Sequence, residues 1–333
     1  MTDKKRVGWI DAAKGLAILA VILGHSYLYG NPIHAISYSF NVPLFFILAG
    51  YTFRPKPFKQ NLATSAKRLL LPYVGLCLFL IIVDTLRSPD KSSTLASHLL
   101  ATFFASGGVI EQGNIPMLGL SWFLMALFVA RIAFNAIVGA CEKRSVNPIL
   151  LGIIFLALAS AAVFEYKFLP LPLAFDQAMI ATFFMYLGYA AKKHDWASRM
   201  NVWTLAILIL AWGGLLYLRV FFSIGNMFFT PSFFAGLPLT IVASFALIKI
   251  CAYLDGKIGV VNTFFEFCGR NSLLLLVLHQ VEASFIDWSS ISIASLGSLS
   301  FLGVGAIHLG LVLVLLWLVY LMPISVYKDT ARS

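Results

Sequence analysis

Residues 9–26 read WIDAAKGLAILAVILGHS, an apolar run interrupted by acidic and basic side chains. Its length suits a helix that crosses a bilayer, which takes about 20 apolar residues. Lys14 and His25 are eleven residues apart, almost three turns, so they share one face roughly 16 Å apart along the axis. Asp11, three residues before Lys14, falls near the same face. Ionisable groups at membrane depth are costly, and they mark candidate functional sites.

The rest of the chain fits this reading. Of 333 residues, 60% are hydrophobic and 11% charged, whereas a soluble domain carries roughly 25% charge. The composition describes an integral membrane protein with one membrane domain over residues 1–333 and no separate soluble part. No tandem repeat stands out. No cleavage-site pattern follows the first apolar segment, so it is expected to be a retained helix. The net charge of +10 is expected from basic residues collecting in cytoplasmic loops, not from nucleic-acid binding. Cys77, Cys141, Cys251 and Cys268 form no CxxC pair, so neither a disulfide framework nor a metal site is expected. GxSxG, Walker, HExxH and GxGxxG patterns in their proper settings are absent.

Ten segments have spanning length: 8–29, 35–53, 69–86, 117–138, 148–166, 174–191, 202–222, 233–254, 270–286 and 300–325. The segment 95–106 is apolar but short, fitting an interfacial or re-entrant helix. Charge tests the count. With Lys4, Lys5 and Arg6 in the cytoplasm, five further basic groups fall on the same side: Arg54 to Arg68, Lys143–Arg144, Lys192 to Arg199, Lys249 to Arg270, and Lys328–Arg332. The opposite side holds only Arg87, Lys91, Lys167 and Arg219. The expected fold is an all-α polytopic helix bundle of about ten transmembrane helices, both termini cytoplasmic. Continuous apolarity, without alternation, excludes a β-barrel. The longest outer loop, 87–116, contains SGGVIEQGNIP, suited to an acceptor site or lid.

Several polar residues carry two readings each. His25 lies past the bilayer centre; it is a packing residue or a base for a hydroxyl nucleophile. Lys14 pairs with Asp11 or offers a cation to an anionic ligand. Arg68, in KRLLLPY (67–73), follows positive-inside bias or binds phosphate. Trp122, in SWFLMAL (121–127), belongs to an interfacial aromatic belt or faces a substrate. Asn41 lies near the outer end of FNVPLFFILAGYTFRP (40–55), where Pro43 and Gly50 allow close backbone approach. In GRNSLLLLVLHQVE (269–282), Ser272 and His279 share a face and Glu282 lies one turn beyond. A second buried histidine beside a carboxylate favours a catalytic cavity.

Five of these elements occur in one order: Lys14 with His25, PLFFILAGY (43–51), KRLLLPY, WFL (122–124) and NSLLLLVLH (271–279). Together they resemble the integral membrane acyltransferase 3 family, on the side of the fucose 4-O-acetylases and exopolysaccharide O-acetyltransferases. Three positions depart from that pattern: Lys14 stands where most members carry arginine, Asn41 where many carry histidine, and the double arginine before the third span is Lys67–Arg68.

The resemblance implies transfer of an acetyl or other acyl group from cytoplasmic acyl-CoA, typically acetyl-CoA, to a hydroxyl of an extracytoplasmic or lipid-linked glycan in a bacterial cytoplasmic membrane. His25 would be the general base or a transient acyl carrier, and His279 would orient the acceptor or stabilise the oxyanion. Lys14, Lys67, Arg68 and Arg270 would hold the donor. Asp11, Asn41, Trp122, Ser272 and Glu282 would face substrate. Two other classes compete. A transporter or flippase also needs many spans and buried charge; a membrane scaffold does not call for paired intramembrane histidines.

Overall fold

A computed structural model describes residues 7–111, 114–292 and 300–321. The basic residues 4–6, 328 and 332, used to orient the chain, lie outside the described residues. Among the described residues the architecture is helical apart from one hairpin and an isolated bridge between Ile110 and Ile115. The first helices are α1 (Gly8–His25), α2 (Pro32–Tyr38), α3 (Asn41–Tyr51) and α4 (Phe58–Ser65). A π turn at Ala66–Leu70 leads from α4 into α5 (Leu71–Arg87). Then come α6 (Lys91–Phe104), α7 (Trp122–Lys143), α8 (Pro148–Glu165), α9 (Phe175–Lys193), α10 (Trp196–Arg199) and α11 (Val202–Tyr217). The hairpin strands β1 (Phe221–Ser223) and β2 (Phe228–Thr230) precede α12 (Phe233–Leu254), α13 (Gly259–Arg270), α14 (Ser272–Ala283) and α15 (Ser300–Leu321).

Helix α1 is buried on nearly every side and forms the centre of the bundle with α3, α9 and α12. Helix α11 buries no residue, and α5 and α8 present exposed Leu, Ile and Phe. Such apolar outward faces are what lipid covers. Two glycine crossings close the centre. A Cβ on Gly15 would lie 1.9 Å from the Phe265 carbonyl oxygen, and one on Gly269 1.7 Å from that of Asp11, so α1 and α13 touch backbone to backbone. Gly50 and Gly188 do the same for α3 and α9. Small residues at helix contacts permit this approach within membranes.

All ten predicted segments contain helix, with different edges. By length and apolarity, seven described helices are candidate spans: α1, α2–α3 together, α4–α5 together, α7, α8, α12 and α15. The pair α13–α14 makes an eighth if its 71° bend lies within one span. Helix α11 is shorter than a full span, and α9 carries two lysines in its last turn. The segment 95–106 falls in α6, whose 14 residues are too few to cross.

Three boundaries are corrected. The seventh segment does not run to residue 222. Helix α11 ends at Tyr217, Arg219 takes a left-handed φ of 56°, and the chain turns into the hairpin, with Phe222 opposite Phe229. Apolar phenylalanines there continue the hydrophobic pattern but pack on the bundle as strands. The ninth segment starts earlier, at Gly259, and bends at Asn271. This places Arg270 at an internal bend and not in a loop. The third starts at Phe58, because the polar helix α4 runs into the π turn without a break.

Candidate active site

One cavity of about 1330 Å³ follows α1 for most of its length, touching Asp11 and Lys14 near one end and Tyr27 and Tyr29 beyond the other. It exceeds the roughly 300–1,000 Å³ of a single small-ligand pocket, leaving room for two substrates.

The Lys14 end is basic. Lys14, Lys67, Arg68, Arg131 and Arg270 all line it. The π turn sets the positions of Lys67 and Arg68. Lys14 Nζ lies 3.5 Å from Asp11 Oδ1, and Arg270 Nη1 lies 3.2 Å from Glu266 Oε2. Lys14 thus makes the expected pair with Asp11 while also lining the cavity. Asp11 sits at this basic end, partnered to Lys14, far from the other end of the cavity. Arg131 lies inside the segment 117–138, and only tertiary packing brings it into the same cavity lining as the other four basic side chains.

His25, at the last residue of α1, is exposed to the cavity. Its ring lies 5.9 Å from Tyr38, edge to face, and 5.5 Å from His279, tilted by 52°. His279, on α14, is fully buried and also lines the cavity. Nδ1 of His279 is 2.7 Å from Glu282 Oε1. The same oxygen is 2.6 Å from Nε2 of His308, from α15. The indole of Trp288 donates to Glu282 Oε2 at 2.6 Å and stacks on the His308 ring at 4.4 Å. Ser26 Oγ, next to His25 in sequence, is 2.7 Å from His308 Nδ1 and donates to the Ile22 carbonyl at 3.2 Å. The chain of contacts therefore leaves the end of α1, crosses α14 and α15, and returns to the residue that caps α1.

Nε2 of His279 has no hydrogen-bond partner and is fully buried. The other three ring nitrogens of the His279–His308 pair are all engaged. One atom from each of His279, Glu282 and His308 lies within 4.8 Å of the others, a grouping that is also able to ligate a metal ion.

The remaining predicted residues separate. Ser272 and Asn41 line the cavity; the Asn41 side chain accepts from the Val42 backbone at 2.7 Å. Trp122 also lines it and is buried against Gly225, so its ring faces inward and is not part of a lipid-facing belt. Glu282 does not line the cavity. Its carboxyl faces His279, His308 and Trp288, so contact with substrate is replaced by support of His279. His308, Ser26 and Trp288 were missed. A histidine within the apolar stretch SFLGVGAIHLGLVLVLLWLVYL is the same kind of signal as His25. Nothing local ties Ser26 or Trp288 to it.

The end of the cavity away from Lys14 is aromatic. His34 stacks on Tyr38 at 4.2 Å and on Phe221 at 5.6 Å, and Tyr29 meets Phe221 edge-on at 5.1 Å. Gly225, Asn226, Asp287 and Ser289 complete that mouth. Hydrogen bonds from the Ser289 hydroxyl, then backbone, hold the Asp287 carboxyl below the usual carboxylate range.

A helical membrane bundle with a substrate-sized cavity, cationic at one end and histidine-bearing further along, is the architecture of a membrane-embedded enzyme. The comparison with known families agrees: residues 7–322 match the Acyltransferase domain family, Acyl_transf_3, and the chain belongs to it. It is an integral membrane acyltransferase. No curated protein and no solved structure matches it.

Proposed function

We propose that this protein moves an acetyl group from cytoplasmic acetyl-CoA to a hydroxyl of an extracytoplasmic or lipid-linked glycan, in a bacterial cytoplasmic membrane. One observation carries the reading: a single cavity holds five basic side chains at one end and the exposed imidazole of His25 further along the same helix.

The basic end suits the phosphates of CoA. Arginine offers a planar fork and lysine a point charge. The pantetheine arm then runs along the Lys14 face of α1 toward His25. The acceptor enters from the aromatic end, where rings and polar groups such as Asn226 fit a sugar's apolar faces and hydroxyls. A nitrogen of His25 takes the hydroxyl proton as the oxygen bonds to the thioester carbonyl carbon. Collapse of the tetrahedral intermediate breaks the C–S bond, and the proton passes to the departing sulfur. The products are an O-acyl sugar and free CoA thiol, with His25 restored. Separation from bulk water limits hydrolysis of the thioester.

The test is release of free CoA from acetyl-CoA by purified protein in nanodiscs, with crude envelope glycan added. Wild type should release CoA only with glycan present. His25→Ala should lose on the order of 10²–10⁴-fold of that rate, the usual worth of a general base. A transporter or flippase would leave acetyl-CoA intact.

A further inference from the structure

We propose that Nε2 of His279 is the seat for the His25 imidazole, and that His279, Glu282 and His308 are positioning residues for His25. The inference rests on the acyl-transfer reading for its catalytic meaning, and on side-chain geometry for its existence.

Four observations carry it. First, Nε2 of His279 is buried without a partner, and an unsatisfied buried polar atom is costly unless something uses it. Second, the His25 ring lies close by, its centroid 5.5 Å from that of His279. Third, the required approach is small. The His279 and His308 rings, tilted by the same 52°, lie 4.9 Å apart, with Nδ1 of His279 3.2 Å from Nε2 of His308. His25 stands 0.6 Å farther out, from 5.5 minus 4.9. Fourth, His279 cannot swing away freely. Its Nδ1 is tied to Glu282, which His308 and Trp288 hold from two other directions.

With His25 seated, one ring nitrogen donates its N–H to His279 Nε2. The other is left as an acceptor facing the cavity. His279 in turn donates Nδ1–H to Glu282. The arrangement fixes the His25 tautomer and aims its lone pair at the acceptor hydroxyl. A carboxylate plays this part for a catalytic histidine in serine hydrolases, where the third group orients without itself taking the proton. Here the support is an imidazole backed by a carboxyl, with His308 returning the chain to Ser26, the residue that caps the helix ending at His25. Closure of the loop on α1 ties the reacting ring to its support.

The test is carbethoxylation by diethyl pyrocarbonate, which labels imidazole nitrogens carrying a free lone pair. Labelling of His25 is followed by peptide mass spectrometry on the intact protein in nanodiscs, in wild type, His279→Phe, Glu282→Gln and His308→Gln. Gel filtration and helix content confirm that each variant is folded; the near-isosteric Glu282→Gln guards against collapse of the larger change. His25 should label on the order of ten times more slowly in His279→Phe and Glu282→Gln, as expected when an orienting group is lost. In the CoA-release assay kcat should fall by on the order of 10²-fold, with KM for acetyl-CoA within about two-fold. Wild-type labelling rates at His25 in both variants would overturn the proposal. So would one tightly bound divalent metal per chain that is lost in His308→Gln, since a metal would then occupy Glu282 and both supporting rings. If the wild type consumes no acetyl-CoA while labelling still depends on His279 and Glu282, the seat stands and the acyl-transfer reading falls.

Discussion

Lys14 meets two surroundings. It pairs with Asp11 at 3.5 Å and also lines the cavity, where the proposed donor would meet its charge. A charge-assisted contact to phosphate or pantetheine is worth about 1.5–3 kcal/mol, so Lys14→Ala should raise KM for acetyl-CoA by on the order of ten-fold or more. Lys14→Arg keeps the charge and should recover most of the loss. Equal KM values in all three proteins would leave Lys14 with the Asp11 pair alone. Both Lys14 and His25 were legible because a charge in an apolar run is conspicuous. His308 carried the same signal, but its meaning came only from Glu282 and Ser26, which are distant in sequence.

At the scale of elements, the crossing of α1 and α13 sets the site. Gly15 and Gly269 bring two backbones together, and the bend at Asn271 follows immediately. That bend puts Arg270 on the cavity wall and starts α14 in the direction that delivers His279 close to His25. Gly15→Leu forces a side chain into a backbone carbonyl. Overpacking of this kind costs typically 1–3 kcal/mol, and here no flexible neighbour can yield. Gly15→Leu should lower the thermal midpoint in nanodiscs by several degrees and abolish CoA release, whereas the uncrowded Gly139→Ala should leave both unchanged. An unaltered midpoint in Gly15→Leu would show that the helices are not in backbone contact.

At the scale of the molecule, the cavity has two unlike ends. A cationic donor end predicts that KM for acetyl-CoA rises as salt increases from 0.01 to 0.15 M, because the Debye length shortens from about 30 to about 8 Å. Dependence on a neutral sugar acceptor should change little. Sealed vesicles give the matching test: CoA should be released when acetyl-CoA is supplied on the side carrying Lys67 and Arg68, and not when it is supplied only on the other. Release from both sides alike would contradict a fixed donor mouth.

The sequence by itself determined the class of architecture and the family. Both follow from local properties: apolar runs of spanning length, basic residues collecting on alternate connections, and five short motifs in order. It also placed His25 and Lys14 on one face, since helical periodicity is a property of a single segment. Boundaries were less legible. The phenylalanines at 221–222 are as apolar in a strand as in a helix, and the start at Gly259 lay hidden in the amphipathic sequence of α13. Only the tertiary structure decided that Arg131 joins the basic mouth, that Trp122 faces inward, and that Glu282 supports His279 behind the cavity wall. It alone closed the chain from His25 through His308 to Ser26. Those contacts join residues up to 282 positions apart, and no local pattern encodes which helices pack together or which nitrogen is left without a partner.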